Sequence, residues 1–178
     1  VMNLASILEN QDIEKRVAIT PEIAKKYISL GFNLTLQKNY GAHLGFADED
    51  YRSLGVNILD DEEEIIKKSE IVIQLGLPEE EKLSFFKENQ TLVGSLNTYF
   101  NKEKLMNLKS KKINCFSLEL LPRITRAQSM DILSSQANLA GYKAVVEAFQ
   151  VYERAIPMMM TAAGTIPAAK VLVVGAGV

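Results

Sequence analysis

Two hydrophobic patterns, one typical of strands and one typical of helices, alternate along the first two thirds of the chain. Phe32, Leu34 and Leu36 alternate with polar residues, which predicts a strand with one buried face. Short, mostly apolar runs predict further strands at residues 71–75, 91–96 and 113–118. Segments with helical spacing or helical end signals lie before and between these strands, at residues 21–30, 60–69, 79–87 and 102–108. The pattern therefore predicts strands that alternate with helices of about ten residues.

The ends of the predicted helices carry residues that stabilise helix ends. Thr20 supplies a capping hydroxyl, Pro21 takes the first helical position, and Glu22 lies near the positive end of the helix dipole. Gly31 ends this helix, because glycine adopts the left-handed conformation of a helix C-terminus at little cost. In the segment 60–69, acidic residues come first and lysines come last, which also matches a helix dipole.

Strands separated by helices of this length are typical of βαβ units, whose parallel strands form one sheet covered on both faces. Right-handed crossovers between such strands give a doubly wound α/β sheet. We therefore predict a Rossmann-like domain with a doubly wound parallel sheet over residues 1–128, a length within the usual range of domains.

The remaining residues predict a long helix and the beginning of a second domain. Residues 129–157, closed by Pro157, form the predicted interdomain crossover helix. Residues 158–178 contain Lys170-Val-Leu-Val-Val-Gly-Ala-Gly177, a pattern typical of a buried strand that enters a Gly-x-Gly turn. This segment predicts the first strand of a second, incomplete Rossmann domain that binds a dinucleotide, although an ordinary tight turn fits the glycines as well.

Composition and charge exclude several classes of function. The 178 residues have a net charge of −2, which gives no basic surface for a nucleic acid. One cysteine and one histidine, Cys115 and His43, exclude a disulfide framework and a Cys/His metal site, so we expect no metal. No apolar run approaches the roughly 18 residues that cross a bilayer, and no secretory signal opens the chain. We expect a soluble, cytoplasmic protein without direct membrane insertion.

Three polar residues between the last predicted strand of the first domain and the long helix are candidates for ligand binding. Arg123 offers a forked donor to an anion, and Gln128 offers a donor and an acceptor to an amide such as a carboxamide. Asp131 could hold the arginine or accept from a ribose hydroxyl. Spacing alone favours the simpler interpretation, in which Arg123 is solvated and Asp131 only caps the helix.

Two segments around these residues closely resemble the NAD(H)-binding alpha subunits of proton-translocating NAD(P) transhydrogenases, within the alanine dehydrogenase/transhydrogenase family. They are Arg123-Ile-Thr-Arg-Ala-Gln-Ser-Met-Asp-Ile-Leu-Ser-Ser-Gln and Met159-Met-Thr-Ala-Ala-Gly-Thr-Ile-Pro. The resemblance covers nearly the whole chain, including Lys15-Arg-Val-Ala-Ile-Thr-Pro and Gly45-Phe-Ala-Asp-Glu-Asp-Tyr.

The resemblance implies a role for each candidate residue. Arg123, Gln128 and Asp131 would act at the nicotinamide end of NAD(H), with Gln128 between the two nicotinamide rings. Ser134 would help to hold the carboxamide. Gly175 and Gly177 match the turn that receives the pyrophosphate.

The implied reaction is direct hydride transfer from NADH to NADP⁺, coupled to proton movement across a membrane by other domains. The implied partners are the NADP(H)-binding and membrane components and a second copy of this chain in a homodimer. The resemblance thus places the protein in the cytoplasm, peripheral to the inner membrane through these partners. Because a third glycine, a phosphate-binding helix and an acidic residue are missing after Gly177, we expect these residues alone to bind NAD(H) weakly or not at all and to be inactive.

Two alternatives remain open. The first is an amino-acid dehydrogenase like alanine dehydrogenase, whose lysine and histidine positions are occupied here by Gln74 and by the Leu96-Asn97-Thr98 segment. Arg16, which matches the residue that meets the substrate carboxylate in those enzymes, is retained. The second alternative is a non-catalytic module for assembly or dimerisation.

Overall fold

The computed structural model describes residues 1–177 of the 178-residue chain. The contacts divide the chain into two units, Val1–Pro122 and Arg123–Val178. Val178, which belongs to the last segment predicted from the sequence, lies outside the described residues. The domain bounds expected at residues 128 and 157 stay a prediction.

The first unit is an alternation of strands and helices. Its strands are β1 (Asn3–Ser6), β2 (Asn33–Gln37), β3 (Asn57–Leu59), β4 (Ile71–Ile73), β5 (Thr91–Gly94) and β6 (Asn114–Ser117). Its helices are α1 (Pro21–Ser29), α2 (Asp48–Arg52), α3 (Glu62–Lys68), α4 (Glu80–Ser84) and α5 (Lys102–Ser110). The hydroxyl of Thr20 accepts a hydrogen bond from the Ile23 N–H and caps α1, as the sequence predicts.

The strands form one six-stranded sheet in the order β3-β2-β1-β4-β5-β6, and every neighbouring pair is parallel. The chain first builds outward from β1 to β3, then returns to the other side of β1 and builds outward to β6. This order confirms the predicted Rossmann-like, doubly wound fold. The strand order reverses between β1 and β4, the position where open α/β sheets form a crevice.

The core of the first unit lies on both faces of the sheet. Leu4 and Ala5 are neighbours on β1, yet they belong to two different buried clusters, because successive strand side chains point to opposite faces. Leu34 and Leu36 join the cluster that contains Leu4, so the predicted alternation of β2 is confirmed at these residues, whereas Gln37 at the end of the strand is buried as well. Burial on both faces explains why the inner strands are short apolar runs rather than alternating ones.

The second unit contains α6 (Ile132–Val151) and an antiparallel hairpin of β7 (Met159–Thr161) and β8 (Gly164–Ile166). The helix begins three residues after the predicted start, because Asp131 caps it. The hairpin lies in a segment for which the sequence pattern predicts no regular structure. Within residues 1–177, no helix combines the length and the apolar character needed to cross a bilayer.

The strand predicted before the Gly-x-Gly turn is not formed among the described residues. Val171, Leu172, Val173 and Val174 are between 70% and 92% exposed and pair with no strand there. The backbone N–H and C=O groups of a strand form hydrogen bonds with a neighbouring strand. Residues 171–174 have no such neighbour, so their apolar pattern alone does not make them a strand. At this segment the structure therefore corrects the expectation that the apolar pattern gives.

Candidate functional site

A short 3₁₀ turn, Thr125–Met130, contains Gln128 and connects Arg123 on one side to Asp131 and α6 on the other. Ala127 in the middle of the turn is only 5% exposed, and its N–H donates to the Ile124 carbonyl at 2.9 Å. The turn closes where the Asp131 N–H donates to the Gln128 carbonyl at 3.3 Å. The buried Ala127 and these two backbone hydrogen bonds fix the turn, while the polar side chains around it stay accessible.

Four predicted site residues lie around one cavity. The cavity has a volume of about 680 Å³ and is lined by Arg123, Gln128, Asp131 and Ser134, together with Ile124 and Thr125. This volume falls in the range of small-molecule sites, about 300–1,000 Å³. The structure therefore brings together the cation, the amide, the carboxylate and the hydroxyl that the sequence selects as candidates.

Asp131 and Ser134 are joined by two hydrogen bonds at the start of α6. The Ser134 N–H donates to Asp131 Oδ1 at 2.9 Å, which caps the helix. The Ser134 hydroxyl donates to Asp131 Oδ2 at 2.6 Å. A serine hydroxyl has one hydrogen, so Ser134 Oγ can only accept a hydrogen bond from a ligand in the cavity.

The same contacts fix the charge of the aspartate. The Ser134 hydroxyl, the Ser134 N–H and the positive charge of Arg123 all lower the pKa of Asp131 below its ordinary value of 3.8. Asp131 is therefore ionised at neutral pH and cannot act as a proton donor there. The cavity offers an ionised carboxylate, a cation and neutral polar groups.

The side chains of Arg123 and Gln128 have hydrogen-bond donors available to a ligand. Both side chains are exposed, and neither forms a hydrogen bond or an ion pair with another of residues 1–177. The Gln128 amide can donate and accept at once, and the Arg123 guanidinium only donates. A neutral, planar amide ligand would thus find both kinds of partner in the cavity.

One polar residue of the cavity is not among the candidates that the sequence gives. Thr125 lines the cavity, and its side chain has no hydrogen-bond partner within the described part of the chain. Its position two residues after Arg123, in the segment that resembles the transhydrogenase loop, is a signal that could have revealed it.

The two glycines of the predicted pyrophosphate turn are not among the residues that line this cavity. Gly175 has a φ of +100°, a conformation that favours glycine, and a Cβ at Gly177 would meet no atom within 4 Å. Backbone open on this side is compatible with a ligand close to the turn. No cluster of His, Cys, Asp or Glu side chains suited to a metal ion occurs within residues 1–177.

In the first unit, Gln74 lies at the carboxyl end of β4 and is 3% exposed. Gln74 Oε1 accepts from the Ser6 hydroxyl and from the Ile7 N–H, both at 2.9 Å. Its amide nitrogen donates to the Ile7 carbonyl at 3.2 Å and to the Glu9 carboxylate at 3.1 Å. Every hydrogen-bonding atom of the side chain is used internally, so Gln74 is a structural residue in this unit.

The chain matches two family models. Residues 7–140 match the N-terminal domain of alanine dehydrogenase/PNT, and residues 144–178 match the C-terminal domain of the same family. The first match alone covers most of the chain, including every residue that lines the cavity.

Named relatives agree with these matches. An NAD(P) transhydrogenase alpha subunit from Rickettsia prowazekii is 42% identical over 99% of this chain and 47% of its own length. An alanine dehydrogenase from Staphylococcus aureus is 27% identical over 82% of this chain and 38% of its own. The chain spans about half the length of the transhydrogenase relatives it matches.

A solved structure described as transhydrogenase from Sinorhizobium meliloti superposes with a TM-score of 0.86 at 38% identity. It covers 93% of this chain, which covers 50% of that structure's chain. Fold, motif and overall similarity agree: the chain belongs to the alanine dehydrogenase/PNT family.

Proposed function

We propose that this chain is part of the NAD(H)-binding component of a proton-translocating NAD(P) transhydrogenase. In this proposal the component transfers hydride directly from NADH to NADP⁺. The observation that carries the proposal is the meeting of Arg123, Gln128, Asp131 and Ser134 around one cavity, in a chain 42% identical to a transhydrogenase alpha subunit.

The polar groups of the cavity suit a nicotinamide carboxamide. Its NH₂ group needs an acceptor, and Ser134 Oγ can only accept, because its hydrogen is committed to Asp131. Its carbonyl needs a donor, which Arg123 or the Gln128 amide supplies. Asp131 orients Ser134 through a hydrogen bond, and the positive charge of Arg123 helps to keep Asp131 ionised.

Bound dihydronicotinamide would supply the hydride; the protein's contribution is position and the exclusion of water. Hydride transfer between two nicotinamides needs no proton at the reacting carbons. Among the described residues that line the cavity, Asp131 has a lowered pKa and is ionised at neutral pH, and the other polar side chains are an arginine, an amide and hydroxyls.

The alternative of an amino-acid dehydrogenase lacks support from the residues. Reductive amination of a keto acid needs a general acid and base to handle protons on oxygen and nitrogen. Gln74, at the position of the lysine in alanine dehydrogenases, cannot titrate and is fully hydrogen-bonded inside the first unit. We therefore expect no pyruvate- and ammonia-dependent oxidation of NADH.

Partners follow from the same proposal. NADP(H) would bind to a partner domain or subunit, and attachment to a membrane would come from partner subunits. We also propose a homodimer, because α6 leaves apolar side chains exposed along its length, including Leu139, Tyr142, Val145 and Phe149. Sedimentation of the purified chain should give twice the mass of 19.8 kDa, and a monomer at micromolar concentration would contradict the homodimer.

The substitution Gln128→Asn tests the proposed site. It keeps the amide but shortens its reach, and a misplaced group at a reacting centre can cost about 100-fold in rate. In the proposed NAD(H)-binding component, mixed with its NADP(H)-binding partner, we expect slower hydride transfer in stopped-flow experiments and an unchanged melting temperature. Gln150→Asn, an exposed glutamine of α6 outside the cavity lining, is the matched control. A parental transfer rate with Gln128→Asn would refute the assignment.

A further inference from the structure

The crevice at the switch point of the first unit contains a carboxylate of the chain itself. Glu9 follows β1, and Gln74, Leu75 and Gly76 follow β4, so these residues lie where the strand order reverses. In open α/β sheets this is the position where ligands bind, because backbone N–H groups at the strand ends face the crevice.

Three donors converge on Glu9. The Leu75 N–H donates to Glu9 Oε1 at 2.6 Å, and the Gln74 amide nitrogen donates to the same atom at 3.1 Å. The Gly76 N–H also faces the carboxylate and lowers its pKa, and a Cβ built on Gly76 would lie 3.9 Å from Glu9 Oε2. Successive backbone N–H groups that face one anion form a nest, the same arrangement by which proteins bind small anions.

The carboxylate is held there against an electrostatic cost. Burial raises the pKa of Glu9 above its ordinary value of 4.5, and nearby Glu14 raises it further. The N–H groups of Leu75 and Gly76 lower the pKa, and each does so more strongly than the charge of Lys82. Lys82 is itself paired with Glu62 at 3.1 Å. The nest is therefore a stronger stabilising partner of this carboxylate than the lysine.

We propose that Glu9 is a built-in ligand that closes the crevice of the first unit, in the seat that a small free monocarboxylate would otherwise take. While Glu9 is in place, its side chain blocks the anion site at the switch point. Removing the side chain should leave the Leu75 N–H and one N–H of the Gln74 amide unpaired, beside the Gly76 N–H, around a space of carboxylate size.

Chemical rescue tests the proposal. In the full chain, Glu9→Ala should lower the melting temperature by about 5 °C or more, because buried donors are left unpaired. Sodium formate should restore most of the loss, whereas sodium chloride at equal ionic strength should not. Glu9→Gln fills the seat with a side chain, so it should melt above Glu9→Ala and gain nothing from formate. An unchanged melting temperature of Glu9→Ala, or equal effects of formate and chloride on it, would overturn the proposal.

A second measurement uses the parent chain and does not depend on the folding of a variant. The amide proton resonances of Leu75 and Gly76 should shift with the ionisation of Glu9, in one transition whose midpoint lies above 4.5, because the pKa of Glu9 is raised from that value. The transition should be absent in Glu9→Gln. Resonances that stay constant across this transition in the parent chain would show that the carboxylate does not occupy the nest.

Discussion

At the scale of single residues, Asp131 has two tasks that the sequence pattern presents as alternatives. One carboxylate oxygen caps α6 through the Ser134 N–H, and the other orients the Ser134 hydroxyl. The cap interpretation and the ligand interpretation are therefore compatible. At the start of α6, Asp131 holds Ser134 so that the hydroxyl oxygen can only accept a hydrogen bond from a ligand.

Ser134 and its neighbour Ser135 allow a matched test of this arrangement. The Ser135 hydroxyl donates to the Ile132 carbonyl at 3.1 Å and does not line the cavity. We expect Ser134→Ala to raise the Kd for NADH about three- to tenfold, the loss of one hydrogen bond. Ser135→Ala should leave it unchanged. Calorimetry on the proposed NAD(H)-binding component measures both values, and equal affinities would contradict the role of Ser134.

Asp131→Asn separates the two tasks of the aspartate. Asparagine caps helices about as well as aspartate, so the melting temperature should hardly change. The asparagine nitrogen can donate to Ser134 Oγ, and the negative charge beside Arg123 is lost, so we expect slower hydride transfer. A variant that melts lower but transfers hydride at the parental rate would reduce Asp131 to a cap.

At the scale of elements, the sequence predicts well the strands that rest on alternating or apolar runs and the helices that rest on helical spacing or end signals. The helices α3, α4 and α5 and the strands β2, β4, β5 and β6 form close to their predicted bounds, whereas α6 (Ile132–Val151) is shorter than the predicted 129–157. The strand β3 has only three residues, Asn57–Leu59, which is too short for a period to be visible. The hairpin of β7 and β8 is formed by Met159–Thr161 and Gly164–Ile166 across two alanines, a turn without a strong sequence signal.

The candidate site was predictable only in part, for a different reason. Arg123, Gln128 and Asp131 attract attention as polar residues between a strand and a helix, but spacing alone favours a solvated arginine and a helix cap. The role of Ser134 came from the resemblance. The Ser134 hydroxyl donates its hydrogen to Asp131, and this contact exists only once the start of α6 has folded.

Two glycines test the packing of the elements. A Cβ at Gly94, at the end of β5, would lie 2.5 Å from the Gln74 carbonyl oxygen, which follows the neighbouring strand β4. We expect Gly94→Ala to lower the free energy of unfolding by about 1–3 kcal/mol. A Cβ at Gly141 in α6 would meet nothing within 4 Å, so Gly141→Ala should raise it by about 0.5–1 kcal/mol. Denaturant titrations measure both, and a tolerated Gly94→Ala would contradict the close approach of β4 and β5.

At the scale of the whole molecule, the chain combines a closed first unit with an open second one. The first unit fills its own crevice with Glu9 and Gln74. The second unit exposes the cavity of Arg123, Gln128, Asp131 and Ser134. This division is consistent with a protein that positions a nicotinamide at one loop and leaves the other chemistry to partners. The chain spans about half the length of its transhydrogenase relatives.

Isotope transfer tests the central claim most directly. The proposed NAD(H)-binding component, mixed with the proposed NADP(H)-binding partner, is given NADH that carries deuterium at the transferable C4 position, together with NADP⁺. Direct hydride transfer breaks that C–D bond and forms a C–D bond at C4 of the acceptor, so mass spectrometry should find the deuterium in NADPH and none in water. Deuterium released to water would contradict the proposed transfer, as would NADH oxidation that depends on pyruvate and ammonia instead of NADP⁺.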